Sequence, residues 1–279
     1  MEKKGCLEIA SISRSLLALI VASAVFASGA VLGNGELGNP RSSYGLGSAK
    51  YLKGSNLLYS LFVDTPASNW NLNEMEQTLT TLNSAAIYIE ETAKEYHAET
   101  ELVCDWQMYS DLTERVKVDF EIMDDEDFED RLDQEIALWV EELVDYEYLM
   151  EKYEAEGIAL LVFVNNPGTS YAIVYDGEDN PRESIVLFGN ETPATYAHEI
   201  LHVFGAHDLY RDGEYTVEAA EYIKSAYPLE IMRTVTDENG RTYNDRIVNN
   251  ISPITAYHLG WIDDTEEIHL FPELKRKGV

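Results

Sequence analysis

His198 and His202 stand four residues apart with Glu199 between them, inside the run His198-Glu199-Ile200-Leu201-His202-Val203-Phe204-Gly205-Ala206-His207-Asp208. No other stretch of the chain restricts its fold as tightly. On a helix, residues four apart project from one face about one turn apart, so both imidazoles can ligate one ion. Glu199 adjoins the first of them, where a carboxylate can take a proton from metal-bound water. Gly205 can adopt a left-handed conformation, stop the helix and turn the chain back toward the ion. That return carries Asp208 to the place of a third ligand, with His207 as the alternative donor one residue earlier. Three protein ligands leave a fourth position for water, the open arrangement of a catalytic zinc site. With six histidines in 279 residues, a bare His-Glu-x-x-His arises by chance on the order of once in a hundred such chains.

The helix expected over 193–204 has its own start signals. Thr192 is a suitable N-cap, and Pro193 suits the first helical position because its missing N–H would be unsatisfied there anyway. Ile200, Leu201, Val203 and Phe204 make the remaining faces apolar, as a helix buried beneath a cleft requires.

The extended pattern His-Glu-x-x-His-x-x-Gly-x-x-Asp resembles that of the metzincin superfamily of zinc endopeptidases, in the snapalysin-like branch with aspartate as third ligand. The resemblance implies Zn2+ held by His198, His202 and Asp208, with Glu199 as the catalytic base. It also implies a methionine turn beneath the metal, which Pro228-Leu229-Glu230-Ile231-Met232 would supply with Met232 as its methionine. Some metzincins place a tyrosine two residues beyond that methionine; Thr234 stands there in this chain. The implied fold is mixed α/β: a twisted mixed sheet with packed helices, the zinc-motif helix and a small C-terminal subdomain. Ile254 to Trp261 would form its C-terminal helix. The last strand before the zinc helix, Ser184 to Phe188, would be the upper rim of the cleft, offering its edge to an extended substrate.

Outside the motif, the chain reads as an export segment, a linker and one large domain. Lys3, Lys4 and Arg14 precede an apolar run from Leu16 to Val31 with small residues at Ala27-Ser28-Gly29-Ala30. Residues 1–31 are therefore expected to be a signal peptide or an N-terminal membrane anchor, placing the rest outside the cytoplasm. Residues 32–55, rich in Gly, Asn and Ser, read as a flexible linker, and 56–279 as the catalytic domain. Cys6 lies in the export segment and Cys104 would be alone in the mature chain, so no intramolecular disulfide is expected.

A formal net charge of −31 with a pI near 4.3 repels phosphates and excludes nucleic acid as the main partner. Solubility in an acidic or salty exterior, structural Ca2+ on clustered carboxylates and cationic substrates are all compatible with it. No twelve-residue EF-hand loop is present.

Hydrophobic periodicity then orders the elements. Leu57 to Val63 is a buried strand. Leu72, Met75, Leu79, Leu82, Ala86, Ile89 and Ala93 mark an amphipathic helix. Residues 102–122 alternate as strands, with a hairpin expected around Ser110-Asp111. Phe128, Leu132, Ile136, Trp139, Leu143, Tyr146, Met150 and Tyr153 form one stripe of a long acidic helix, ended by Gly157. Ile158 to Val164 is a strand buried on both faces, then Asn166-Pro167-Gly168 turns into Tyr171 to Tyr175. His258 and His269 are read as structural.

The expected function is a secreted or surface-displayed zinc endopeptidase acting on protein or peptide substrates. The alternatives are a metal-holding adhesion or binding protein on the same scaffold, and a zinc amidase of cell-wall material. Retention of Glu199 disfavours the binding protein, because a structural site needs no base.

Overall fold

The computed structural model describes residues 52–105, 111–122, 126–174, 183–189, 191–210 and 215–276. The expected export segment and the linker up to residue 51 lie outside them. The folded body starts earlier than residue 56: Leu52 is fully buried, and its carbonyl accepts hydrogen bonds from Thr100 Oγ1 (2.7 Å) and Trp261 Nε1 (2.8 Å).

Strand β1 (Gly54–Asp64) is followed by helix α1 (Leu72–Glu95), β2 (Thr100–Cys104) and β3 (Thr113–Lys117). Then come α2 (Glu126–Leu143), α3 (Tyr146–Tyr153), β4 (Gly157–Val164), β5 (Tyr171–Ile173) and β6 (Ser184–Phe188). Helices α4 (Pro193–Val203), α5 (Val217–Ala226), α6 (Pro253–His258) and α7 (Glu266–Leu270) close the chain. The sheet runs β2-β1-β4-β6-β5, with β3 also on β1; every pairing is parallel except β5 with β6. This is the mixed α/β architecture, a mixed sheet with packed helices.

Side-chain alternation builds both layers. In β4, Ala159, Leu161 and Phe163 enter the core shared with α1, α4 and the C-terminal helices. Ile158, Leu160, Val162 and Val164 enter a second core with α2 and α3. A strand covered on both faces must be apolar throughout, which is why β4 reads as a continuous hydrophobic run. The described residues after Gly205 add no strand to the sheet; Ile231, Met232, Ile254 and Leu259 pack into the first core instead.

Several sequence expectations change. β2 and β3 do not form a hairpin: both run parallel to β1, one after the other along the same edge. The buried/exposed alternation that suggested pairing is real, with Val116, Val118, Phe120 and Ile122 all buried, but their partner is the sheet beneath. The long acidic helix is two helices, because Asp145 caps α3 by accepting from the Tyr148 N–H. Leu143 is exposed while Val144 is buried, so the stripe shifts register at that break. Glu154, in a left-handed conformation, ends α3, and Gly157 opens β4. Leu72, at the first turn of α1, is exposed, unlike the other members of its stripe.

A further correction concerns the cleft. β6 lies between β4 and β5 with all five residues buried, so Ser184 to Phe188 cannot be the rim. The edge strand is β5, which packs near α4. Gly168 in the turn before it is needed: a Cβ there would meet the Phe188 ring at 2.5 Å. Among the described residues no helix is long and apolar enough to cross a membrane.

Candidate metal centre

Helix α4 begins as its sequence requires, with Thr192 Oγ1 accepting the Thr195 N–H and Pro193 in the first turn. It ends at Phe204, and Gly205 takes φ 96°, a conformation open to glycine and costly for other residues. The chain then reverses, and Ala206 N–H bonds back to the Leu201 carbonyl at 3.0 Å. The turn itself aims a ligand: the Ala206 carbonyl accepts from His202 Nδ1 at 2.9 Å. His198 Nδ1 donates to the Ile231 carbonyl at 2.9 Å, from the loop that carries Met232. A carbonyl partner fixes Nδ1 as the protonated nitrogen, so both rings present Nε2 lone pairs to a common point.

That point is also met by Asp208. Its Oδ1 lies 3.4 Å from His198 Nε2 and 3.2 Å from His202 Nε2, and the two Nε2 atoms are 3.2 Å apart. Zinc with bonds of about 2.0–2.1 Å in a tetrahedron requires ligand separations of roughly 3.3 Å. The three donors fit that triangle, and two lone pairs facing a carboxylate at this distance need a cation between them. Among the described residues these three form the cluster able to hold a metal ion.

His207 is turned elsewhere: its ring meets His258 edge-on at a centroid distance of 5.0 Å. His258 is buried and bonds to the Leu274 carbonyl through Nε2, and His269 pairs with Asp264 at the surface. Glu199 is buried beside the cluster, and burial pushes its carboxyl up, opposed by His198 and His202. Met232 is fully buried; its carbonyl accepts from Leu209 N–H at 2.8 Å, tying the segment behind Asp208 to the loop that orients His198. Cys104 sits at the end of β2, where burial pushes its thiol up to about 12.

Two residues near the centre were not singled out from the sequence. Tyr210 stacks on His198 with centroids 6.4 Å apart and remains half exposed, beside a site whose loop carries Thr234 instead of tyrosine. Glu230 is fully buried. Its carboxylate accepts from Thr255 Oγ1 (2.7 Å), from Met232 N–H (3.3 Å) and from the Ser252 N–H that opens α6. Glu230 thus fastens the loop holding the Ile231 carbonyl to the start of α6. Only its acidic character inside an otherwise apolar run, Leu229 to Met232, could have signalled this.

Glutamine at position 230 would put an amide donor where an N–H or hydroxyl now donates. Glu230→Gln is expected to cost about 1–3 kcal/mol of stability and to weaken zinc binding by about 10–100-fold through the loosened Ile231 carbonyl. Denaturant unfolding of the chelated protein and zinc titration separate the two effects. An unchanged zinc affinity would limit Glu230 to a packing role.

The metal-free cluster also dictates a pH response. Burial pulls the His198 imidazolium down, yet the Asp208 hydrogen bond, the Glu199 charge and the Ile231 carbonyl outweigh it and hold the pKa above 6.5. Burial would raise the Asp208 carboxyl, but hydrogen bonds from His198 and His202 hold it well below the usual carboxylate range. The Asp208 contribution is therefore present above 3.8, its unfolded value, and lost as pH falls through the folded pKa. The His198 contribution is full below 6.5 and lost as pH rises through its folded pKa. The Tm advantage of the chelated parent over Asp208→Asn should therefore be largest between these values and shrink toward pH 8.5. A constant Tm difference from pH 5 to 8.5 would refute the coupling.

No protein-family model matches the sequence, and no curated protein matches it. Among solved structures it is similar to metalloproteinase-II from Bacteroides fragilis, with a TM-score of 0.34 and 10% identity over 76% of this chain. The likeness spans 53% of that protein, about half its length, and is too distant to define either fold or activity.

Proposed function

We propose that the chain is a metzincin-type zinc endopeptidase, exported from the cytoplasm and either secreted or anchored through its N-terminal segment. The observation that carries this reading is the 3.2–3.4 Å triangle of two imidazole nitrogens and one carboxylate oxygen, with Glu199 on the same helix. Zinc, when bound, supplies Lewis-acid polarisation of the scissile carbonyl and lowers the pKa of a coordinated water from about 15.7 toward about 7.

The protein's own groups do the rest. His198, His202 and Asp208 would hold the ion, and the Ile231 and Ala206 carbonyls keep both imidazoles aimed. Glu199, on the face adjoining the ligands, accepts the proton of the attacking water as the water oxygen bonds to the carbonyl carbon. It then delivers that proton to the leaving amine as the C–N bond breaks. The outer edge of β5 is the main-chain surface beside α4, where an extended peptide would add as a strand. The Met232 loop is tied to the ligand segment through the Ile231 and Met232 carbonyls. The apolar run and cationic start of residues 1–31 support export.

The zinc-loaded full chain should cleave an unbiased peptide mixture, read by mass spectrometry, and 1,10-phenanthroline should abolish the cuts. Absence of any chelator-sensitive cut, from protein holding one zinc, would overturn the peptidase reading.

A further inference from the structure

At the start of α4 a cleft of about 240 Å³ is lined by Gln77, Thr78, Thr81, Glu191, Tyr196 and Asn244. That volume suits one side chain and is below the range of pockets for drug-sized ligands, about 300–1,000 Å³. Each lining residue carries a polar group: one carboxylate, two amides and three hydroxyls. Thr78 is 2% exposed, and its hydroxyl lies beside the Tyr196 phenol. Glu191 is half-buried and accepts a hydrogen bond from Ser170 Oγ at 3.3 Å, with no Lys or Arg paired to it among the described residues. Burial pushes its carboxyl up, opposed by Ser170 and Thr195. A desolvated carboxylate among hydroxyl and amide oxygens is a receptor for a cation that can also donate several hydrogen bonds.

The place of this cleft ties it to the proposed substrate path. Ser170 immediately precedes β5, the edge strand, so Glu191 lies where that edge begins. Thr195, which also bonds to Glu191, is on α4 three residues before His198. At 100° per residue it points within about 60° of the metal-facing direction. From Pro193 to Glu199 the helix axis advances about 9 Å at 1.5 Å per residue, which an extended peptide covers in about three residues.

We propose that this cleft is a specificity pocket that takes a lysine or arginine side chain of a peptide substrate within three residues of the scissile bond, with Glu191 as its charge partner. The inference rests on the peptidase reading for its biological meaning, but the cleft can be tested without turnover. The net charge of −31 acts in the same direction by concentrating cationic peptides around the molecule.

Blocked Ala/Gly octapeptides carrying a single Lys, Glu or Met at successive positions provide the probe. Binding is measured by calorimetry on zinc-loaded Glu199→Gln protein, which holds the metal but does not consume the peptide. Lys peptides should bind at least about tenfold more tightly than Met peptides, the scale of a charged hydrogen bond, and Glu peptides more weakly still. Adding Glu191→Gln should bring the Lys-to-Met ratio toward one, and Glu191→Lys should reverse the preference for Lys over Glu. Equal affinities for Lys and Met peptides, no binding of either, or a Lys preference that survives Glu191→Gln would overturn the proposal. Selective Lys binding without any cleavage by the zinc-loaded parent would uphold the cleft and sink the peptidase reading instead.

Discussion

Glu199→Gln should lower kcat/KM on a cleaved peptide by about 10³-fold at pH 7, within the range attributed to general acid–base catalysis, while leaving one zinc per chain. The two side chains are nearly identical in shape, and position 199 is only 7% exposed, so the substitution keeps the helix packing. Glu199 is absent from the ligand triangle, so the metal has no reason to leave. What glutamine cannot do is accept a proton from the attacking water and return it to the amine. A 10³-fold loss corresponds to about 4 kcal/mol of transition-state stabilisation. Steady-state kinetics beside metal analysis by mass spectrometry decides the matter. A loss below tenfold would mean that another group takes the proton, and loss of zinc would place Glu199 among the ligands.

Removal of zinc should lower the melting temperature by about 10 °C without unfolding the protein at 25 °C. Free zinc at a thousand times its Kd adds about 4 kcal/mol to the folded state, and each kcal/mol moves Tm by about 2–4 °C in a domain of this size. The chain is expected to fold without the ion, unlike a zinc finger, because the sheet is covered by two separate cores. In His202→Ala the response of Tm to zinc should disappear, because two donors and a lost orienting bond to Ala206 cannot retain it. Calorimetry with and without chelator measures both. A Tm indifferent to zinc in the parent, or a full zinc response in His202→Ala, would refute the assigned ligand set.

How much of this was legible beforehand depends on whether the signal was local. The helix of the candidate metal centre was: its cap, proline, glycine stop and histidine spacing all lie within seventeen residues, Thr192 to Asp208, and each dictates geometry through its immediate neighbours. β4 was legible because burial on both faces leaves only apolar residues. The β2–β3 arrangement was not, since alternation reports that one face is buried but not which strand lies alongside. The rim of the cleft was misplaced for the same reason, as the order of strands in a sheet is a long-range property. β6 precedes the metal helix in sequence, yet the antiparallel β5 lies outside it in space. Nor could periodicity show that Asp145 would cap a new helix and divide the acidic stripe. Glu191 and Glu230 carry no local signal, because an isolated glutamate resembles any of the other carboxylates in so acidic a chain. Their significance comes from residues brought near by folding, Ser170 and Thr78 for one, Ser252 and Thr255 for the other.

The most direct test is X-ray absorption at the zinc edge on the zinc-loaded full chain, compared with Asp208→Ala and His207→Ala. One zinc is expected, with only nitrogen and oxygen neighbours at about 2.0–2.1 Å and two imidazoles in its outer-shell scattering. That signature should persist in His207→Ala and be altered or lost in Asp208→Ala. Sulfur in the shell, or a third imidazole that vanishes with His207→Ala, would contradict the metal centre formed by His198, His202 and Asp208.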